Sequence, residues 1–592
     1  MGSLLTYLCK PNINDRSSRK TFNKLDTFTK VMMKPLRNSI LATLKEPYVH
    51  SDIVTCNTDL GWEKNGNEFS DWKKKTAKAT ANKISDSFSV NIIKEDDTTG
   101  KQPLLNRILF RILRCRLLFP VIDKPGLFFK SNEDAQRLLN SLKITMGEGG
   151  ILPQSYNTWE DMTTDDSLSC IFFYGMGAIL MATQPDHINP DFGVFVVNMS
   201  LETYKTRGGF RPLGATIYFD ADQKPSDIFD HHQKKHFKPG ESGWEAAKFL
   251  VRVTVGTLIT VREHLVWSHL IISNSVTRAS INHLPPCHPI RRLLTIFTFL
   301  TNSINRQALQ TLTANAGILH RATGFTYESM KEIFDASYKQ SNIFEPFGGR
   351  KVCSSVKKLS DEGKFSYLSE GIAYYKIVYE FVQEWLNTAD MGADVPTKNF
   401  YDAVKKESKG QTYELPNFKE DGDMLVNLLS QMIFVVTAYH ELAGGLVDYV
   451  RLPTRAGFRC TNNATQMDVQ SFLLTTLIGG GTSARMPKLM QDFNNFFGAG
   501  GAPSWERYVW KTFKDKIEIQ SDNVKQANAK RETEFNAFDP DNFECSISIY
   551  RWYGIMFPSL INFITFDIFC TNSAITIKLL IIFMLFCFSN VV

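Results

Sequence analysis

Three of the eleven histidines stand where an imidazole is hardest to accommodate, and they are the residues best placed to do chemistry. His264 and His269 lie in Glu263-His264-Leu265-Val266-Trp267-Ser268-His269, inside a long apolar run. In a regular α-helix a spacing of five sets two rings about 140° apart. They can face one ion only if the helix is locally widened into a π-turn, a device found mostly at functional sites. The zinc-protease pairing, two histidines four apart with a glutamate between, is absent from this stretch. His440 sits in the middle of a second apolar run, followed by Glu441 and, one turn later, by Gly444. An imidazole amid that much hydrocarbon needs a hydrogen-bond partner or an ion. Each ring taken alone reads as a hydrogen-bonded core histidine or as a ligand. His232 and His236 have the better generic metal spacing of four, but Lys234, Lys235 and the following Pro239-Gly240 predict a solvated loop or helix end. His283, His288 and His320 are assigned to structure.

The elements that must position these rings are helical. From 244 to about 283 apolar residues recur every three or four positions without a proline, which predicts one long, largely buried helix. A second runs from about 423 to 450. Residues 288–340 and 360–390 have the same pattern, so the region from roughly 240 to 549 is expected to be mainly α. Ahead of it, short apolar runs broken by Gly and Pro predict minor β elements, at Val194-Phe195-Val196-Val197 and Ala215-Thr216-Ile217-Tyr218. Arg107, Arg111, Arg114 and Arg116 are interleaved with apolar residues, as in a helix that packs on the core or lies on a membrane.

The two ends differ from this body. Residues 1–100 read as a polar arm with a cluster at Lys73, Lys74, Lys75, Lys78 and Lys83, and the start, Met1-Gly2-Ser3-Leu4-Leu5-Thr6, fits an N-myristoylation pattern with Cys9 nearby for a second chain. Residues 550–592 read as a hydrophobic extension whose cleanest stretch, 573–588, is slightly short of the roughly 20 residues that span a bilayer. These ends are the candidate membrane attachments of a chain otherwise expected to be cytoplasmic. The ten cysteines form no CxxC pair and read as reduced thiols. With 592 residues, 43% hydrophobic, the chain can bury a large core, and 67 basic against 61 acidic residues give no basis for a nucleic-acid partner.

The set His264-xxxx-His269, His283, His288-Pro289-Ile290-Arg291-Arg292-Leu293-Leu294 and Ile304-Asn305-Arg306-Gln307-Ala308 resembles, in order and spacing, the iron-binding region of lipoxygenases. Asn542-Phe543-Glu544-Cys545-Ser546-Ile547-Ser548-Ile549 is similar to the end of their catalytic domain. The resemblance implies a large lipoxygenase-type helical domain over 101–549, built around two long central helices. It implies one non-haem iron ion held by His264, His269 and His440 from a π-bulged helix and a later helix, with Ile549 in the place of a further ligand. It also implies hydrogen abstraction from a doubly allylic methylene of a polyunsaturated fatty acid, addition of O2 to the resulting radical, and a lipid hydroperoxide as product. Ile304, Ala308 and Leu312 would line the substrate channel, with Ala308 where the family carries alanine or glycine to influence the face that oxygen reaches.

This chain departs from the family pattern at two ligand positions. Gly444 stands where the family places Asn, His or Ser. Ile549, whose family counterpart binds through a free terminal carboxylate, is followed here by further chain. The family's N-terminal β-sandwich is expected to be lacking. These departures favour, as an alternative to a dioxygenase, a catalytically impaired lipid- or partner-binding protein; the same three histidines could also serve a lipid hydroperoxide isomerase.

Overall fold

The computed structural model describes residues 79–93, 164–185, 189–285, 287–299, 301–341, 352–389, 394–411, 414–418, 423–444, 457–465 and 502–530, with isolated positions between 121 and 547. The polar start, Arg107 to Arg116, Ile549 and the hydrophobic extension lie outside them.

Within the stretch expected to be a polar arm, β1 (Ala79–Lys83) and β2 (Ser89–Ile93) pair antiparallel. Their turn and second strand bury Ile84, Phe88, Val90 and Ile92. The Ser85 and Ser87 hydroxyls donate to Asp335, and Phe88 stacks on Tyr338 at 4.6 Å, so the hairpin is docked on the helical body.

Two short helices, α1 (Asp165–Phe173) and α2 (Ala178–Met181), lead into an antiparallel meander of β3 (Phe195–Ser200), β4 (Gly214–Phe219), β5 (Pro225–Asp230) and β6 (Lys235–Phe237). Val197, Ile217, Ile228 and Phe237 oppose one another across the four strands and form one buried row. The Asp230–His236 segment is therefore the solvated turn of the β5–β6 hairpin, as its lysines predict, and not a helix end. His231 is tied to Thr216 and Glu202, and His236 to Asp227. A strand end with fixed cross-strand partners replaces the helical geometry that a spacing of four would need for a shared ion.

Gly243, at φ 100°, turns the chain out of the sheet; a Cβ there would lie 2.6 Å from the Phe237 ring. The first central helix then runs as α3 (Trp244–Leu258), a π-helical segment (Ile259–Ser273) and α4 (Asn274–His283). Its buried stripe packs on the sheet at one end and on the other helices beyond. Around it lie α5 (Pro289–Thr295), α6 (Thr301–Thr311), α7 (Ile318–Ala322), α8 (Tyr327–Gln340), α9 (Ser354–Asp361), α10 (Ser366–Thr388) and α11 (Val395–Glu407). The second central helix is α12 (Met424–Phe434), a short π segment (Val435–Tyr439) and α13 (His440–Gly444). This helix is long and apolar enough to cross a membrane, yet most of it is buried inside the protein, as befits a core helix. α14 (Trp505–Lys530) packs along α10. The architecture is mainly α with minor sheets.

His288 caps α5, its Nδ1 accepting from the Ile290 N–H, while its Nε2 meets Asp394; His320 Nδ1 accepts from the Ala316 N–H. Both are structural, as their sequence context predicts. Behind them Arg292 and Glu506 form a bidentate ion pair sealed from solvent, at 2.7 and 3.0 Å.

Candidate metal centre

The two central helices meet at His264, His269 and His440. The Nε2 atoms form a nearly equilateral triangle, 3.0 Å between His264 and His440, 3.1 Å between His269 and His440, and 3.2 Å between His264 and His269. No other group of three or more His, Cys, Asp or Glu residues converges in this way among the described residues. The π geometry makes this arrangement feasible: bonding from i to i+5 brings residues five apart onto one face. Side chains hold the widened turn. The Ser268 hydroxyl donates to the Glu263 carbonyl and the Ser273 hydroxyl to the His269 carbonyl, both at 2.8 Å.

The proton positions show which ring nitrogens carry free lone pairs. Asn305 on α6 faces His269 twice, Oδ1 lying 3.1 Å from Nδ1 and Nδ2 donating to the His269 carbonyl at 2.8 Å. With the amide oriented by that second bond, its oxygen can only accept, so the ring proton sits on Nδ1 and Nε2 is a bare lone pair. Burial pushes the His269 ring down to about 4, so it is neutral at neutral pH. A ring proton can serve only one edge of a triangle of nitrogens, and the remaining lone pairs repel unless a cation sits between them. Nitrogens bound to an ion at about 2.1 Å lie about 3.0 Å apart on an octahedral face and about 3.4 Å apart in a tetrahedron. The observed edges fall within this range, so one ion could bind all three nitrogens with further positions open.

No family model matches the chain. Over 224 residues it is 26% identical to the Homo sapiens polyunsaturated fatty acid lipoxygenase ALOX15B, covering 34% of this chain and 31% of that protein. Over 341 residues it is 23% identical to the Rattus norvegicus arachidonate 12-lipoxygenase, 12R-type, covering 53% of this chain and 48% of that protein. The chain thus matches about a third to a half of the length of these curated relatives. Among solved structures, coral 8R-lipoxygenase superposes with a TM-score of 0.65 at 17% identity, covering 81% of this chain and 80% of that one. A lipoxygenase crystallised anaerobically with arachidonate gives 0.63 at 16% identity, covering 82% and 83%. The fold is that of a lipoxygenase catalytic domain.

On this lipoxygenase fold the residues expected to line a channel fall on one helix. Ile304, Ala308 and Leu312 are buried on or just after α6, and Asn305, bonded to His269, shares a stripe with Ala308 and Leu312 at i, i+3 and i+7. Gly444 lies beside the three histidines: a Cβ added there would be 3.3 Å from His264 Nε2, so position 444 faces the nitrogen edge of that ring. Phe543, Cys545 and Ile547 are buried, and Phe543 packs at 5.0 Å on Tyr374. The Tyr374 hydroxyl meets Thr437 at 2.8 Å, three residues before His440, which brings the segment leading toward Ile549 against the second central helix.

Several residues of the site carry no role in the sequence reading. Asn305 belongs to the motif resembling the family, but nothing in its spacing shows that it meets His269. Glu263 and Tyr439 each precede one of the three histidines. The Tyr439 hydroxyl donates to the Glu263 carboxylate at 2.7 Å across the two helices. The signal that could have found this pair is a buried carboxylate and a phenol placed identically relative to two ligand candidates. The second π segment, Val435–Tyr439, had no sequence signal.

Proposed function

We propose that this chain is a non-haem iron dioxygenase of the lipoxygenase type, which inserts O2 into a polyunsaturated fatty acid to give a lipid hydroperoxide. The triangle of Nε2 atoms carries the reading. His264, His269 and His440 would hold the ion through neutral nitrogens, with Ile549 as a further ligand position. A bound iron would supply the one-electron chemistry that a doubly allylic C–H bond requires. The chain's own part is positional. Asn305 keeps His269 in the ligating tautomer and ties α6 to the centre, so Ile304, Ala308 and Leu312 would present an apolar wall to the substrate within a turn or two of the ion. The small Ala308 side chain would leave more room beside a bound substrate than a larger residue there. The arachidonate seen in one related structure supports a fatty acid as the substrate class.

A second reading has a specific observation behind it. Gly444 presents no donor at a position facing His264, and Ile549 is not the end of the chain. A centre short of an anionic ligand would hold iron weakly, and the fold would then serve as a lipid- or partner-binding protein. Rearrangement of lipid hydroperoxides would use the same three histidines.

The test is iron content together with diene formation and oxygen uptake on linoleate and arachidonate. Near-stoichiometric iron with a conjugated-diene absorbance and matched oxygen consumption is expected. Hydroperoxide consumption without oxygen uptake would favour the isomerase, and iron-free, inactive protein the binding reading.

A further inference from the structure

Glu263 and Tyr439 are both buried, at 7% and 1% exposure, and each precedes a ring of the triangle by one residue. One carboxylate oxygen of Glu263 accepts from the Tyr439 hydroxyl at 2.7 Å, and the other accepts from the Arg262 guanidinium. Tyr439 is gripped a second time by the same helix, its ring meeting Trp267 edge-on with centroids 4.5 Å apart. Neighbouring side chains on a helix point in different but mutually fixed directions. Fixing Tyr439 therefore fixes the rotation of the second helix about its axis, and with it the direction of His440. The same bond fixes Glu263 and hence His264. Packing alone does not call for this pair, because a buried carboxylate and phenol can be replaced by apolar groups of similar volume with little loss of stability. What apolar groups would not supply is a directional, charge-assisted bond.

We propose that the Tyr439–Glu263 bond is the positioning element of the metal centre: a latch that sets the His264–His440 spacing and thereby metal affinity. The inference rests on the three-histidine reading of the site.

The test is anaerobic titration of the full chain with Co(II), reading the dissociation constant by chelator competition and the ligand field from the d–d absorption, beside thermal unfolding of the metal-free protein. Tyr439→Phe keeps the ring on Trp267 and removes only the hydroxyl. It should weaken Co(II) binding 10- to 100-fold and alter the d–d bands. Glu263→Gln, of nearly the same size, should weaken binding less. The double variant should lose less than the sum of the two single losses, since both changes act on the shared Tyr439–Glu263 bond. Unchanged affinity in both single variants, even with lowered thermal stability, would make the bond merely structural and overturn the proposal. Losses that simply add in the double variant would overturn it too. Failure of the wild-type chain to bind Co(II) would instead bring down the three-histidine reading itself, and the latch with it.

Discussion

Replacing Asn305 by leucine, which is similar in volume but cannot hydrogen-bond, should damage the centre without touching a ligand. Asn305 is fully buried and makes two bonds to one residue: Oδ1 to the His269 ring and Nδ2 to the His269 carbonyl. The carbonyl keeps a second donor, the Ser273 hydroxyl at 2.8 Å, so its loss is partly covered. The ring N–H has no such reserve, and a buried donor left without a partner costs about 1–3 kcal/mol. The ring can also escape that cost by moving its proton to Nε2, which removes the lone pair from the triangle. Affinity for Fe(II) or Co(II) should therefore fall about 10- to 100-fold, equivalent to about 1.4–2.7 kcal/mol. Chelator competition under anaerobic conditions measures it. Asn305→Asp, which keeps the acceptor, should retain most of the affinity. A folded Asn305→Leu protein with metal affinity within twofold of wild type would refute the assignment of the tautomer, and with it the proton arrangement on which the metal-site reading rests.

Gly444→Asn should slow the loss of metal to excess EDTA, because the new side chain starts 3.3 Å from His264 Nε2 and extends toward the ion; Gly444→Val should speed it by crowding the ring. Ending the chain at Ile549 should raise metal content and fatty-acid oxygenation by supplying a terminal carboxylate, and equal metal content in the long and short chains would contradict that role. Arg292→Met should lower the unfolding free energy by about 3–5 kcal/mol by stranding Glu506 in the core, while Arg292→Met with Glu506→Leu should recover most of it, as read from denaturant midpoints. The metal-free protein should lose stability in acid. Burial and the nearby Arg207 hold His320 down to about 4, and burial does the same to His269. Unfolding returns both toward about 6.5, so the unfolded chain takes up protons first. Stability is full above that pH and falls between about 6.5 and 4, at up to about 1.4 kcal/mol per pH unit for each ring; a flat profile in denaturant melts at pH 7, 6 and 5 would contradict it.

Local pattern exposed part of this molecule and long-range geometry the rest. The apolar periodicity around 244–283 shows in the sequence as one continuous helix, and the His264–His269 spacing already demands a π-turn if both rings are to meet an ion, because 3.6 residues per turn will not allow it. The β3 and β4 strands are legible in Val194–Val197 and Ala215–Tyr218. The His232–His236 spacing of four is misleading, since it fits a helix end as well as a loop and the turn of a short hairpin leaves no period of its own. The β1–β2 hairpin is hidden for a related reason: Val90 and Ile92 alternate over too few residues to stand out from polar surroundings. His440 has no local signal linking it to His264; only resemblance joins them, because the contact closes a loop of well over a hundred residues. Asn305, Glu263 and Tyr439 are invisible as partners for the same reason: side-chain bonds between distant helices leave no period in the chain.

X-ray absorption at the iron edge of the anaerobically loaded protein tests the convergence of the three rings most directly. Three imidazole nitrogens at about 2.0–2.2 Å, falling to two in His440→Ala, is the predicted result. A centre with fewer than three imidazoles in the wild-type chain, or one unchanged by the loss of His440, would contradict it.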